Sequence, residues 1–188
     1  MEQMYMGERC GREQIRTAQK EDYDRVRKFY HSLIDEMADS PFLPGWKKDI
    51  YPAPGFLQTS IEQGELYIKE ENGELAACMV LNHACNPGYE NMQWSLEASS
   101  EEMLVIHALG VAPRMSGRGI AKEMVKTAFD IAREQKLKTV RLDILKGNLP
   151  AKKAYLAMGF RYVDTVEMFY EDTGWTDYEG YEYVIPYK

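Results

Sequence analysis

The residues best suited to chemistry lie in two short stretches. The first is Arg114-Met115-Ser116-Gly117-Arg118-Gly119, which follows an apolar run at residues 103–111 and precedes an apolar stripe of helical spacing that starts at Ile120 and Ala121. A glycine-containing loop between a strand and a helix aims unpaired main-chain N–H groups and the positive end of the helix dipole at one point, a combination that suits a phosphate. Gly117 and Gly119 permit positive-φ turns and let an oxygen approach where a Cβ would stand, while Arg114 and Arg118 add charge. Glycines that merely tighten a turn are the plainer alternative. The segment has no G-x-x-x-x-G-K-[ST], and Gly110, Gly117 and Gly119 do not make G-x-G-x-x-G, so neither a P-loop nor a dinucleotide site fits.

The second stretch begins at Asn148. Tyr155 follows seven residues later, about two helical turns, so both side chains project from one helix face. Asn148 also suits the helix N-cap, since Gly147-Asn148-Leu149-Pro150 is a favourable helix start. On the apolar run, His107 has an unperturbed pKa suited to proton transfer near neutral pH, although a lone strand histidine also reads as structural. Glu101 and Glu102 are alternatives that would act through water, or simply charges at the strand edge.

These groups must be positioned by a mixed set of elements. Residues 14–17 suit an edge strand, and Val26, Phe29, Tyr30, Leu33, Ile34 and Met37 recur at helical spacing over residues 21–38. Ser40-Pro41, Pro44-Gly45 and Pro52-Ala53-Pro54-Gly55 then break the pattern into a loop that carries Phe42, Trp46 and Tyr51. A short helix at 56–63 and strands at 65–70 and 74–83 follow, the strands joined at Asn72-Gly73, a hairpin turn signal. Residues 85–101 are polar and turn-rich. A central strand at 103–111, a helix from 116 to 135, a strand at 139–145, a helix at 148–158, and strands at 159–170 and 178–186 complete a mixed α/β domain of 188 residues. Strand 103–111 and strand 139–145 should run parallel, with the loop at the carboxyl end of the first, where ligands commonly bind. Residues 1–12 are expected to form a loosely ordered extension.

Composition narrows the function. A net charge of -7 opposes sequence-independent nucleic-acid binding. Arg114, Arg118, Lys122, Lys146, Lys152 and Lys153 nevertheless fall close together in this acidic chain, which favours a local anion site. The sequence holds no apolar stretch long enough to span a bilayer and no hydrophobic signal region, so a cytoplasmic protein without membrane contact is expected. Cys10, Cys78 and Cys85 have neither metal-ligand spacing nor an even count, and read as free thiols with no bound metal.

Residues 111–121, Val-Ala-Pro-Arg-Met-Ser-Gly-Arg-Gly-Ile-Ala, resemble the acyl-CoA signature R/Q-x-x-G-x-G/A of the GNAT N-acyltransferase superfamily. Asn148, Ala151, Tyr155 and Gly159-Phe160 resemble its second signature, and the likeness covers about residues 14–170. The resemblance implies a GNAT fold, a central mixed sheet split between its fourth and fifth strands and flanked by about four helices. It also implies an acetyl-CoA-dependent N-acetyltransferase. Leu109 and Val111 would pair with the pantetheine arm, and Arg114, Ser116, Gly117, Arg118, Gly119, Ile120 and Ala121 would wrap the pyrophosphate. Asn148 would meet the cofactor from the other side, and Tyr155 would act as general acid near the sulfur. His107 lies where related enzymes draw a base. Trp46 and Tyr51 resemble a W-x-x-x-x-Y-P pattern of bacterial members and would line the acceptor pocket, or else form a satellite cluster under the loop. The expected acceptor is a primary amine of a small molecule; a protein or peptide amine, or a non-catalytic acyl-CoA sensor, are the alternatives. The aromatic edges of the hairpin over residues 160–186 are suited to pairing in a homodimer.

Overall fold

The computed structural model describes residues 15–41 and 44–186; the expected extension at 1–12, Cys10 and Phe42 lie outside the described residues. In chain order the elements are β1 (Arg16–Thr17), α1 (Tyr23–Met37), α2 (Pro54–Glu62), β2 (Leu66–Glu71), β3 (Glu74–Asn82), β4 (Met103–Val111), α3 (Ile120–Glu134), β5 (Thr139–Leu145), α4 (Leu149–Ala157), β6 (Arg161–Tyr170) and β7 (Gly174–Val184). The strands form one sheet in the order β1-β2-β3-β4-β5-β7-β6. Every neighbouring pair is antiparallel except β4 beside β5. This is the mixed sheet with four helices that the order of elements implies.

Boundaries move where backbone chemistry demands it. The helix expected from Ser116 begins at Ile120, because Gly117 and Gly119 stand at φ +78° and +83° and cannot continue a right-handed turn. The last strand starts at Gly174 rather than at Tyr178, which brings the β6–β7 turn down to residues 171–173.

Helix α1 buries Val26, Phe29, Tyr30 and Leu33 at three- and four-residue spacing, and α3 buries Ile120, Met124, Val125, Ala128, Phe129 and Ala132. Both pack on β3 and β4, whose side chains are largely buried. The polar stretch before β4 forms a second, smaller core in which Tyr89 and Met92 pack with Met103, Val105, Met168 and Tyr178. A buried ion pair holds that stretch to the sheet. Arg141 Nε donates to Glu182 Oε1 at 2.9 Å and its Nη2 to the Leu96 carbonyl at 2.7 Å, while the Ser95 hydroxyl donates to Glu182 and Trp94 lies under the guanidinium.

What positions the site is a break between β4 and β5. Their parallel pairing covers only Met103↔Thr139, Leu104↔Val140 and Val105↔Arg141. Beyond Val105 a bulge bends β4: its partner on β3 passes from Val80 at His107 to Cys78 at Gly110, and Ala108 takes φ +50°. A bulge of this kind increases local twist, and a positive φ at alanine carries strain of about 1–2 kcal/mol. The buried Tyr30 hydroxyl donates to the Ala108 carbonyl at 2.7 Å, so the carbonyl that the bulge turns out of the ladder is satisfied. Removing that donor strands a buried acceptor. Tyr30→Phe is expected to lower unfolding free energy by about 1–3 kcal/mol, read as a reduced urea midpoint with an unchanged slope.

Candidate active site

The glycine-rich loop opens with a 3-10 turn at Pro113–Met115 and ends at Gly119, the N-cap of α3. No side chain caps that helix, and a Cβ built at Gly117 or Gly119 would meet nothing within 4 Å. The two glycines are therefore required by their φ angles, and the space above them is open to a ligand. Arg114 and Arg118 are not free cations. Arg114 pairs with Glu74 at 2.8 Å and Glu36 at 3.6 Å, and Arg118 with Glu71 at 2.7 Å. These arginines are about half exposed, so such pairs contribute little, under about 1 kcal/mol each. Lys146 and Lys152 are likewise paired, with Asp177 and Glu179.

The split between β4 and β5 holds a cavity of about 500 Å³ that reaches Pro113 and Ser116 on one side and Asn148, Ala151 and Tyr155 on the other. Backbone register decides what β4 offers it. The Ala112 N–H bonds to Ala76 O on β3, and peptide groups alternate along a strand, so those of Val111 and Leu109 face the open side. Asn148 caps α4, its Oδ1 accepting from Ala151 N at 3.3 Å, and the residue also lines the cavity. Tyr155 is 8% exposed, lies edge-on to Phe160, and its hydroxyl has no partner among the described residues. Burial, with the nearby Asp143 charge, pushes that hydroxyl's pKa well up.

The other end of the cavity is aromatic and acidic. Trp46, Tyr51, Tyr170 and Tyr178 stand in a chain of ring contacts with centroids 4.8 to 5.9 Å apart. Trp46 and Tyr51 are thus brought to the cavity wall, and both pack on the main core rather than in a separate cluster under the loop. Gly45 makes the loop's approach possible: it stands at φ +87°, and a Cβ there would sit 2.5 Å from Thr173 in the β6–β7 turn. Sequence reasoning missed three residues here. Asp143 accepts from the Tyr89 hydroxyl at 2.7 Å and from the Tyr170 hydroxyl at 3.1 Å. Burial pushes its pKa up and the two hydroxyls pull it back. Asp172 lies in the β6–β7 turn, again with its pKa raised by burial. A signal existed for Asp143, a single acid inside the apolar strand 139–145; none marked Asp172 or Tyr170.

The model of the acetyltransferase (GNAT) family matches residues 18–160. The chain belongs to the GNAT acetyltransferase family. By that membership it is an acyltransferase. A streptothricin acetyltransferase from Streptomyces lavendulae is 33% identical over 72 residues, which is 38% of this chain and 38% of that protein. A GNAT-family acetyltransferase from Streptococcus agalactiae shares the fold with a TM-score of 0.77 at 20% identity, over 93% of this chain and 96% of the other. A Salmonella typhimurium acetyltransferase solved with its cofactor acetyl-CoA has a TM-score of 0.64 at 16% identity, over 93% and 95%.

In this GNAT chain His107 lines the cavity from β4, edge-on to Phe56. Its Nε2 lies 2.9 Å from both Asn82 Oδ1 and the Ala84 carbonyl, and two acceptors require that Nε2 carry the proton, leaving the lone pair on Nδ1. Burial lowers the imidazole pKa to about 4, against 6.5 for a free histidine. The unfolded chain therefore takes up a proton first as pH falls, so stability contributed by neutral His107 is present above pH 6.5 and is lost between 6.5 and 4. The loss amounts to roughly 3 kcal/mol. Urea unfolding across that range is expected to show it, and His107→Gln, which retains a donor but does not titrate, should flatten the slope.

Proposed function

We propose that this chain moves an acetyl group from acetyl-CoA to the primary amine of a small cationic molecule. One observation carries the reading: a single cavity joins an open glycine loop and an unpaired strand edge to an end walled by aromatic rings and buried carboxylates. The first half fits an extended thioester with a pyrophosphate, and the second fits an ammonium. The partial relative is named for streptothricin and not for a protein, in keeping with a small acceptor.

Bound acetyl-CoA would supply an activated acyl carbon with a thiol as leaving group. Leu109 and Val111 offer main-chain partners along the split and Ser116 lines the cavity, while Gly117, Gly119, Ile120 and Ala121 would present N–H groups just beyond it at the start of α3, with Arg114 and Arg118 on the same loop. Asn148 has its Oδ1 committed to Ala151, so its NH2 is the group left for the ligand. Tyr155 lines the cavity and carries its proton at neutral pH, as any phenol does, so its position is what suits it to a general acid. The base role goes to Asp143 rather than to His107. Asp143 has a raised pKa and acts electrostatically on Tyr155, whereas the low pKa of His107 makes it a poor holder of a proton; it orders the wall instead.

Thiol release across an amine panel, with calorimetry of CoA binding, tests the reading. Acceptor-dependent release is expected; binding of acetyl-CoA with no release for any amine would favour a sensor. Tyr155→Phe should leave CoA affinity intact and lower kcat by roughly 10²- to 10⁴-fold, and normal turnover would remove Tyr155 from the acid role. Gly119→Val forces a branched side chain to φ +83° and is expected to abolish CoA binding in the same calorimetry.

A further inference from the structure

Asp172 is 4% exposed, and its Oδ1 has no hydrogen-bond partner among the described residues. A buried carboxylate oxygen left without a partner is costly, and native structures rarely retain one without use. Its remaining support is main-chain, from Asp172 and Thr173 in the β6–β7 turn, and Lys47 acts on it only at a distance, with no ion pair joining them among the described residues. Asp172 lines the active-site cavity and also an adjoining one of about 600 Å³, the two sharing Leu33, Met37, Pro44, Trp46 and Leu145. The space around it therefore continues past the acceptor end.

The two acids divide the cavity. Tyr155 and Asp143 line the active-site cavity and not the adjoining one, whereas Asp172 lines both, and the Tyr178 hydroxyl lies 2.7 Å from Thr173 Oγ1, next to Asp172. Asp143 thus sits toward the Tyr155 end, and Asp172 lies farther along the aromatic wall. One ammonium could be served by Asp143 alone, whose oxygens already accept from two tyrosine hydroxyls. The second carboxylate, buried beside aromatic rings with its Oδ1 left over among the described residues, calls for a second cation.

We propose that the acceptor carries two cationic nitrogens in the manner of a diamine: the reacting one at Asp143, toward Tyr155, and a second held at Asp172 beside Tyr51 and Tyr178. This rests on the acetyl-transfer reading above. One ammonium is consumed: a C–N bond forms as the thioester C–S bond breaks, CoA leaves as its thiol, and one net proton passes to solvent. The second ammonium is unchanged, so the product has lost one of its two anchoring charges and transfer stops at one acetyl group.

The test compares butylamine and pentylamine with putrescine and cadaverine, using the full chain and acetyl-CoA, with initial rates of thiol release and calorimetry of amine binding in parallel. The kcat/KM of a diamine is expected to exceed that of the matched monoamine by roughly 30-fold or more, carried in KM. Asp172→Asn should collapse that ratio toward one without lowering the thermal midpoint, since it removes a buried charge that no ion pair offsets among the described residues; Asp172→Ser gives the same readout should the amide variant fold poorly. Equal use of monoamines and diamines, or a preference that survives both substitutions, would overturn the proposal while leaving acetyl transfer intact. Asp172-dependent diamine binding with no thiol release would do the reverse, sinking the transfer reading and keeping the two-point site. No binding and no release with any amine would overturn both.

Discussion

The contact between the Tyr30 hydroxyl and the Ala108 carbonyl is the hinge of the molecule. Parallel strands at the centre of a sheet gain a hydrogen bond for nearly every residue they pair, so β4 and β5 would be expected to stay together along their length. They part because β4 carries a bulge with a strained alanine, and the strain is tolerable only because a buried donor from α1 satisfies the displaced carbonyl. The Ala108 N–H in turn donates to the hydroxyl of Tyr51, from the loop after α1. Two tyrosines distant in sequence thus hold open the cavity on which both ends of the site depend.

The two ends of the cavity are built from different physics. At the glycine-loop end the backbone dominates, through the free edge of β4, the uncapped start of α3 and two positive-φ glycines. Side-chain cations contribute less than their number implies, because Arg114 and Arg118 are already paired with acids of α1 and the β2–β3 hairpin. At the aromatic end side chains dominate. Burial raises the pKa of Asp143 and of the tyrosines around it, and each hydroxyl that donates to Asp143 is in turn held more firmly in its protonated form. A carboxylate surrounded by phenols is suited to receiving a cation, which arrives with the opposite charge.

Much of this placement relies on elements remote from the chemistry. Tyr89 reaches Asp143 only because the Arg141–Glu182 pair and Trp94 clamp the preceding polar stretch onto the sheet. Trp46 and Tyr51 reach the cavity because Gly45 lets its loop pack against the β6–β7 turn, and because Arg27 and His31 of α1 hold Asp49. Breaking a buried ion pair such as Arg141–Glu182 costs about 3–5 kcal/mol, so these supports are as consequential as the groups that face a ligand.

The sequence by itself determined the main elements, the mixed sheet and the place of the glycine loop before α3. Those signals are local: a hydrophobic period marks α1 and α3, Asn72-Gly73 marks a hairpin, and a glycine loop between strand and helix places its N–H groups by short-range geometry alone. Tyr155 and Asn148 were legible for the same reason, because seven residues on one helix fix their relative direction. The aromatic and acidic end of the cavity was decided only by tertiary structure. Asp143, Asp172, Tyr170 and Tyr89 come from β5, a turn, β6 and a short 3-10 segment, and nothing in their local spacing brings them together. Burial, which shifts the pKa of His107 and of Asp143, is a property of the folded surroundings, and so is the pairing that neutralises Arg114 and Arg118.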